Sequence, residues 1–293
     1  MNEAERRFVD VGGIRTCYYE KGGGPPVVLF HGGNFGSTEL ADNALDWDTI
    51  FDRLAARYRV VAIDKIGQGR TDIPKRDEDY TMAAVVRHAA ATLDALGLKA
   101  AHLVGHSRGG YLTCRLTLER PDLAKTCTIA DSNTCAPGIS LNDVVFANPP
   151  GTALGIERFR WVAERYSFGT AHITEAWLDD MVAVASGDSY REAVRKMEQD
   201  GLKSRLFLPG LLRDKMEMFG WIRDRGMKRP TQLMWGYNDP TATMEHARAL
   251  YDLIAARERR AQLHVFNQSG HFTYREHPAA FIACLAAFIE GVG

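Results

Sequence analysis

The sequence predicts an α/β protein in which a mostly parallel β-sheet is flanked by helices on both faces. Short apolar, β-branched runs alternate with amphipathic stretches of helical period, and only a few residues separate one from the next. That alternation is typical of parallel strands joined by crossover helices. Between about residues 136 and 226 the strand pattern is lost, and this segment is predicted to be helical.

The amino-terminal part of the chain supplies most of the predicted sheet. Strands are predicted at residues 15–20, 27–30, 59–64, 101–105 and 125–131, and helices at 47–58, 80–98 and 109–120. The continuous apolar run of 27–30 is expected of a central strand that is covered on both faces. Gly97 and Pro121 are typical stop signals for the second and third helices.

The same alternation resumes after the helical segment. Strands are predicted at residues 231–236 and 261–266, and helices at 242–258 and 278–292. A helical block between two strands of one sheet is predicted to form a cap over the strand ends. We therefore expect a core of residues 1–135 and 227–293 and a cap of residues 136–226. Because the cap carries three of the five tryptophans, we also expect a mostly hydrophobic pocket.

Charge and composition exclude several classes of function. The chain has 36 Lys and Arg against 37 Asp and Glu, so it offers no basic surface for nucleic acid. No apolar stretch approaches the roughly 20 residues that span a bilayer, and the charged amino terminus does not resemble a signal peptide. The five cysteines are scattered, which argues against disulfides or a zinc site. We expect a cytoplasmic protein with a small-molecule ligand, no metal and no membrane partner, and homo-oligomer formation stays open.

The candidate nucleophile is Ser107. Gly105-His106-Ser107-Arg108-Gly109 matches G-x-S-x-G, and the motif lies between a predicted strand and a predicted helix. In this strand–turn–helix context the glycines permit a strained turn that exposes the serine hydroxyl. The amides at the start of the helix then point toward any oxyanion that forms beside the serine.

A serine needs a base, and the base needs a carboxylate partner. His271 is the favoured base, because it lies in a loop between a predicted strand and the last helix. His277 and His31 are expected to have structural roles. Asp239, which follows the strand 231–236, is the favoured acid, and Asp131 is its main competitor.

The remaining candidate residues surround this set. An oxyanion hole would take the backbone N–H groups of Arg108 and Gly33, with Gly32 and Asn34 beside them. His106 either contacts the substrate or packs in the core. Trp161 of the cap and Phe272 after the base are further candidates for substrate contact.

The motifs HGG, D-x-x-G-x-G, GHSRGG, WGYND and SGH stand in the order and spacing of the α/β-hydrolase superfamily, which the chain resembles over nearly its whole length. The resemblance implies a Ser107–Asp239–His271 triad under a helical cap. A serine nucleophile differs from the aspartate of haloalkane dehalogenases and epoxide hydrolases. The Gly-Gly pair after His31, the chain length and the cap sequence HITEAWL are most similar to the meta-cleavage product hydrolases, which act on C–C bonds in bacterial aromatic degradation.

That resemblance implies cleavage of a vinylogous 1,5-diketone acid into a dienoate and a carboxylic acid, without a cofactor. The histidine promotes ketonisation of the substrate, and the serine then attacks the carbonyl. The chain departs from the family at His106 and Arg108, where Asn and Met are usual, and at Phe272, where Trp is usual.

The family's carboxylate-binding cap arginine has no clear counterpart in this sequence, and Arg108, Arg158 and Arg160 are the candidates to replace it. A carboxylesterase or lactonase, a perhydrolase and a low-turnover ligand-binding protein are the alternative functions.

Overall fold

The computed structural model describes residue 1, residues 5–151 and residues 153–292. Within these residues one sheet of eight strands has the order β1-β2-β4-β3-β5-β6-β7-β8. The strands are β1 (Arg6–Val11), β2 (Ile14–Lys21), β3 (Pro26–Phe30), β4 (Arg59–Ile63), β5 (Ala101–His106), β6 (Ala124–Ala130), β7 (Thr231–Gly236) and β8 (Gln262–Phe266). The β1–β2 and β2–β4 pairs are antiparallel, and the other five are parallel. The predicted fold class is confirmed.

Strand β1 is an element that the sequence did not predict. It forms a hairpin with β2 through Gly12 and Gly13, both with positive φ, and the register pairs Val11 with Ile14. Of its six residues only Val11 is buried. An edge strand with so few buried side chains lacks the apolar run that marks a central strand.

Helices cover both faces of the sheet. Those of the core are α1 (Asp48–Ala55), α2 (Met82–Ala95), α3 (Arg108–Glu119), α9 (Met244–Ala255), α10 (Thr273–Glu276) and α11 (Pro278–Gly291). Neighbouring residues of β3 point to opposite faces. Val28 belongs to the apolar cluster that contains residues of α2, α3 and α9. Leu29 belongs to the cluster that contains residues of α1 and α11.

The segment between β6 and β7 is helical, as predicted. It contains α4 (Asn142–Val145), α5 (Ile156–Tyr166), α6 (Glu175–Ala185), α7 (Asp188–Val194) and α8 (Leu208–Arg225), with π-helical turns at Arg195–Gln199 and Lys203–Phe207. The domain limits at residues 136 and 226 stay a prediction. In the part of the chain that the structure describes, no helix combines the length and the apolar character needed to cross a membrane.

Candidate active site

Ser107 lies on a sharp turn between β5 and α3. Its φ of 53° is in the left-handed region, which is strained for a residue with a side chain. A Cβ on Gly105 would lie 2.0 Å from the carbonyl oxygen of Gly109, and one on Gly109 would lie 2.2 Å from that of Phe30. Both glycines are therefore required for this turn, which places Ser107 at the carboxyl edge of the sheet.

His271 and Asp239 come together at the same edge of the sheet. His271 Nδ1 lies 2.6 Å from Asp239 Oδ2. The other carboxylate oxygen of Asp239 accepts hydrogen bonds from the backbone N–H groups of Thr241 and Ala242, both at 2.8 Å. Burial disfavours the charged imidazole, but the charge and hydrogen bond of Asp239 outweigh burial and raise the pKa of His271. This arrangement fixes the tautomer that leaves Nε2 free to act as a base.

The competing carboxylate, Asp131, has other partners. It accepts hydrogen bonds from the N–H of Gly236 at 2.7 Å and from the hydroxyl of Thr273 at 2.6 Å. Burial, together with the nearby charge of Asp239, raises the pKa of Asp131 well above its usual range. Asp131 therefore ties β7 to the start of α10, and Asp239 is the carboxylate that contacts the imidazole.

Ser107 and His271 line one cavity of about 250 Å³. Four other predicted site residues also line it: Gly33, Asn34, Arg108 and Phe272. Among the described residues, the imidazole of His271 has hydrogen bonds to Asp239 and Thr241 and none to Ser107. In sites without substrate the serine–histidine bond is often long and tightens on binding.

Besides Asp239, which lies behind His271, three predicted site residues are outside the cavity lining. A Cβ on Gly32 would lie 2.9 Å from Asp42 Oδ1, so this glycine packs behind the cavity wall. His106 is buried, and its Nε2 donates to the carbonyl oxygen of His271 at 2.8 Å. Trp161 packs beneath the guanidinium of Arg165, 3.7 Å from the ring centroid. The structure thus gives His106 a packing role.

The expectation of a mostly hydrophobic pocket was wrong. Trp177 is buried, with its indole N–H donating to Asp46 Oδ1 at 2.8 Å, and Trp221 packs beneath Arg115. These cap aromatics pack on the protein interior or on other side chains, so they do not line the cavity. The lining is instead rich in polar side chains: Ser37, Thr38, Glu39, Asp42, Asn133, Thr134, Ser140, Asn142, Asp143, Glu198, Lys203 and Lys215.

Two cations of the lining have no carboxylate partner among the described residues. The guanidinium of Arg108 lies 5.5 Å from the ring centroid of Phe207 and forms no ion pair there. Lys215 Nζ donates to the carbonyl oxygen of Asn133 at 3.2 Å. Burial and the charge of Arg108 both lower the pKa of Lys215. Lys203 differs, because Glu198 pairs with it at 2.8 Å. Arg108 and Lys215 thus offer a local binding point for an anion, in a cavity whose lining also includes the carboxylates of Glu39, Asp42 and Asp143.

The other two arginine candidates do not line this cavity. Arg158 donates to the carbonyl oxygen of Thr38 at 2.7 Å, and Arg160 pairs with Glu175. Lys215 was missed because a single lysine within the amphipathic helix α8 carries no motif.

Tyr166 connects the cap to His271. The sequence did not predict this residue as part of the site. Its ring stacks on the imidazole of His271, with centroids 4.5 Å apart and planes 18° apart. Its carbonyl oxygen accepts the backbone N–H of His271 at 2.8 Å. Its hydroxyl donates to Glu39 Oε2 at 3.0 Å and accepts from Asn142 Nδ2 at 2.9 Å. The end of α5 is thereby bound to the loop that carries His271.

Comparison with known proteins places this chain among hydrolases. Residues 25–278 match the family described as alpha/beta hydrolase fold. The chain is 27% identical over 284 residues to 2-hydroxymuconate semialdehyde hydrolase of Pseudomonas sp. (strain CF600), covering 97% of this chain and 93% of that protein. It is 27% identical to 2-hydroxy-6-oxo-2,4-heptadienoate hydrolase of Pseudomonas putida, covering 99% and 98%.

A solved structure shows the same fold. The meta-cleavage product hydrolase CumD of Pseudomonas fluorescens IP01 aligns over 100% of both chains with a TM-score of 0.78 and 23% identity. The resemblance to meta-cleavage product hydrolases that the sequence predicted is confirmed.

Proposed function

Since the chain belongs to the alpha/beta hydrolase fold family, we propose that this enzyme is a serine hydrolase that cleaves a C–C bond in vinylogous 1,5-diketone acids. These compounds are the meta-cleavage products of aromatic degradation, of the 2-hydroxy-6-oxo-hexa-2,4-dienoate type. The observation that carries the proposal is the cavity itself, in which Ser107 and His271 adjoin Arg108 and Lys215, two cations that have no carboxylate partner in the described part of the chain. Relatives named for such substrates support it.

The two cations are suited to the carboxylate of the substrate. Charge-assisted hydrogen bonds from Arg and Lys to a carboxylate are stronger than neutral ones. Burial and, to a lesser degree, the charge of Arg108 lower the pKa of Lys215, and a bound anion would favour its charged form. The acid end of the substrate would thus bind at Arg108 and Lys215, with its ketone directed at Ser107.

In the first stage, His271 promotes ketonisation of the bound dienol. Its Nε2 takes the enol proton, and the proton returns to the carbon next to the ketone. Because Asp239 stabilises the imidazolium, this transfer is favoured at the imidazole.

In the second stage, Ser107 attacks the ketone carbonyl while His271 accepts its proton. The backbone N–H groups of Gly33 and Arg108 stabilise the tetrahedral oxyanion. The C–C bond then breaks, its electron pair delocalises into the dienolate, and a proton from His271 completes the dienoate product. Water, activated by His271, hydrolyses the acyl-serine to the carboxylic acid.

The test is a spectrophotometric comparison of two substrate types. Purified protein is given methyl- and phenyl-substituted dienolates, whose yellow colour bleaches on cleavage, and in parallel p-nitrophenyl acetate. We expect bleaching at a kcat/KM well above that for the ester, with Ser107→Ala inactive on both. Brisk ester turnover without bleaching would favour the carboxylesterase or lactonase. Ligand-induced thermal stabilisation without any turnover would favour the ligand-binding protein.

A further inference from the structure

A lysine lies buried behind the loop that follows β3. Lys65 is 2% exposed and follows closely after β4. Its Nζ donates to the carbonyl oxygen of Gly32 at 2.7 Å and to that of Gly33 at 2.9 Å. A buried cation is costly unless it is hydrogen-bonded or paired, so these two carbonyl groups help stabilise it.

The two carbonyl groups belong to the peptide units of the candidate oxyanion hole. The oxygen of Gly32 and the N–H of Gly33 are parts of one planar trans peptide group and point in opposite directions. The oxygen of Gly33 and the N–H of Asn34 are related in the same way. An ammonium group on the oxygen side therefore fixes the direction of the N–H and polarises it, as in cooperative hydrogen-bond chains.

We propose that Lys65 is a positioning residue of the oxyanion hole, which orients and polarises the Gly33 peptide from behind through its hydrogen bonds to the Gly32 and Gly33 carbonyl oxygens. The inference rests on the proposed serine-hydrolase function. Lys65 does not line the cavity, so it acts on the transition state through the peptide group and does not touch substrate.

A second side chain braces the same loop without bringing a charge. His31 Nδ1 donates to the Gly32 oxygen at 2.9 Å, and its Nε2 accepts the backbone N–H of Lys65 at 3.2 Å. This pattern requires the neutral imidazole, and burial together with the charge of Lys65 lowers the pKa of His31 well below its usual range. Lys65 is thus the side chain that brings positive charge to these carbonyl groups.

The charge of Lys65 is set by its surroundings. Burial lowers the pKa of Lys65 to about 7, with Asp42 and Asp46 favouring the charged form and Arg108 opposing it. The buried rings of His31 and His106 also face this charge. Since the ammonium form is lost as pH rises through this pKa, oxyanion stabilisation should weaken on the alkaline side.

The first test is Lys65→Met, assayed with p-nitrophenyl acetate and with a phenylboronic acid, which mimics the tetrahedral oxyanion. We expect kcat to fall about 10- to 100-fold. Removal of a whole oxyanion-hole donor lowers kcat by roughly 10²- to 10³-fold, so the expected fall is at or below that range. KM should stay within about twofold of the wild-type value, because the carbonyl group of the bound ester interacts with the oxyanion hole more weakly than the oxyanion of the transition state does. Boronate affinity should fall in parallel with kcat. The matched control is Lys75→Met, since Lys75 donates to the Gly12 carbonyl oxygen on the exposed surface at 3.3 Å.

The second variant, Lys65→Gln, retains a donor and removes the charge. Its kcat should lie between those of wild type and Lys65→Met, and the alkaline fall of kcat should disappear. If Lys65→Met does not fold by circular dichroism, Lys65→Gln alone decides the question. Wild-type kcat and boronate affinity in either folded variant, or loss of folding in both, would overturn the proposal. Because ester and boronate report on any serine hydrolase, a failure to bleach dienolates leaves this test unaffected.

Discussion

The two sides of the cavity differ in how the chain builds them. On the core side, Ser107, Asp239 and His271 follow β5, β7 and β8 at one edge of the sheet. The backbone N–H of Thr241 fixes Asp239 locally, and Asp239 in turn holds the imidazole of His271. On the cap side, Tyr166 lies on α5 and Lys215 lies on α8. Both residues are far in sequence from Ser107 and His271, whose cavity they line. The difference is that the proposed catalytic groups follow strand ends that the sequence pattern marks, whereas Tyr166 and Lys215 reach the cavity only through the packing of the cap helices.

The largest expected effect lies on the core side. Asp239→Asn removes the charge that stabilises the imidazolium and disturbs its tautomer, so kcat should fall about 10³- to 10⁴-fold. Asp131→Asn leaves the imidazole bond intact and should lower kcat less than about tenfold, with a lower melting temperature because buried hydrogen bonds change. Steady-state kinetics and thermal melts of the two variants check this. A larger rate loss at Asp131 than at Asp239 would exchange their roles.

The next effect concerns the substrate carboxylate and involves one residue from each side, Arg108 of α3 and Lys215 of α8. Arg108→Met keeps the backbone amide of the oxyanion hole and removes only the guanidinium. This variant and Lys215→Met should each raise KM for the dienolate acid about 10- to 100-fold, as expected for a lost charge-assisted hydrogen bond.

The neutral ester is the internal control for those variants, and its KM should stay within about twofold. Lys203→Met is the matched control, because Glu198 already neutralises that lysine in the same cavity. Equal changes in KM for acid and ester would contradict a carboxylate site.

A smaller effect is expected where the cap meets the base. Tyr166→Phe keeps the stack on His271 and removes the bonds to Glu39 and Asn142, so kcat should fall about two- to fivefold through loss of orientation. Tyr166→Ala removes the stack as well and should lower kcat by about tenfold or more. Tyr58→Phe, at a buried tyrosine outside the cavity lining, is the control. An unchanged kcat in Tyr166→Ala would show that Tyr166 of the cap does not position His271.

The smallest effect is a shift along the pH axis. His271 must be neutral to accept a proton, and Asp239 raises its pKa. The acid limb of kcat/KM for the ester should therefore lie above about pH 6.5, the ordinary value for histidine. In Asp239→Asn the residual activity should have its acid limb at lower pH. If the acid limb of kcat/KM does not move in Asp239→Asn, a group other than His271 is responsible for it.

The difference between the core side and the cap side of the cavity also explains which features could be predicted from the sequence. Gly105 and Gly109 mark the nucleophile turn because a Cβ at either position would collide with backbone. Asp239 follows a strand that the apolar pattern identifies, so its position relative to His271 could be predicted from chain order. Strand β1 could not be predicted, because its mostly exposed residues do not form the apolar run that marks a buried strand.

The cap contributions and the lysine behind the loop could not be predicted in this way. Tyr166 and Lys215 reach the cavity only through tertiary packing of helices, and their own helices show ordinary amphipathic patterns. Lys65 lies in a polar turn, and only the structure shows that it is buried against the Gly32 carbonyl oxygen. Cap tryptophans suggested an apolar pocket because sequence does not show which way they point.

Whether the enzyme cleaves a C–C bond is decided by a product analysis in ¹⁸O-labelled water. The substrate is the methyl-substituted dienolate, and mass spectrometry follows both products. We expect equimolar 2-hydroxypentadienoate and acetate, with one solvent oxygen in the acetate and none added to the dienoate by the enzyme. Recovery of intact substrate from wild-type protein that still hydrolyses p-nitrophenyl acetate would contradict C–C cleavage.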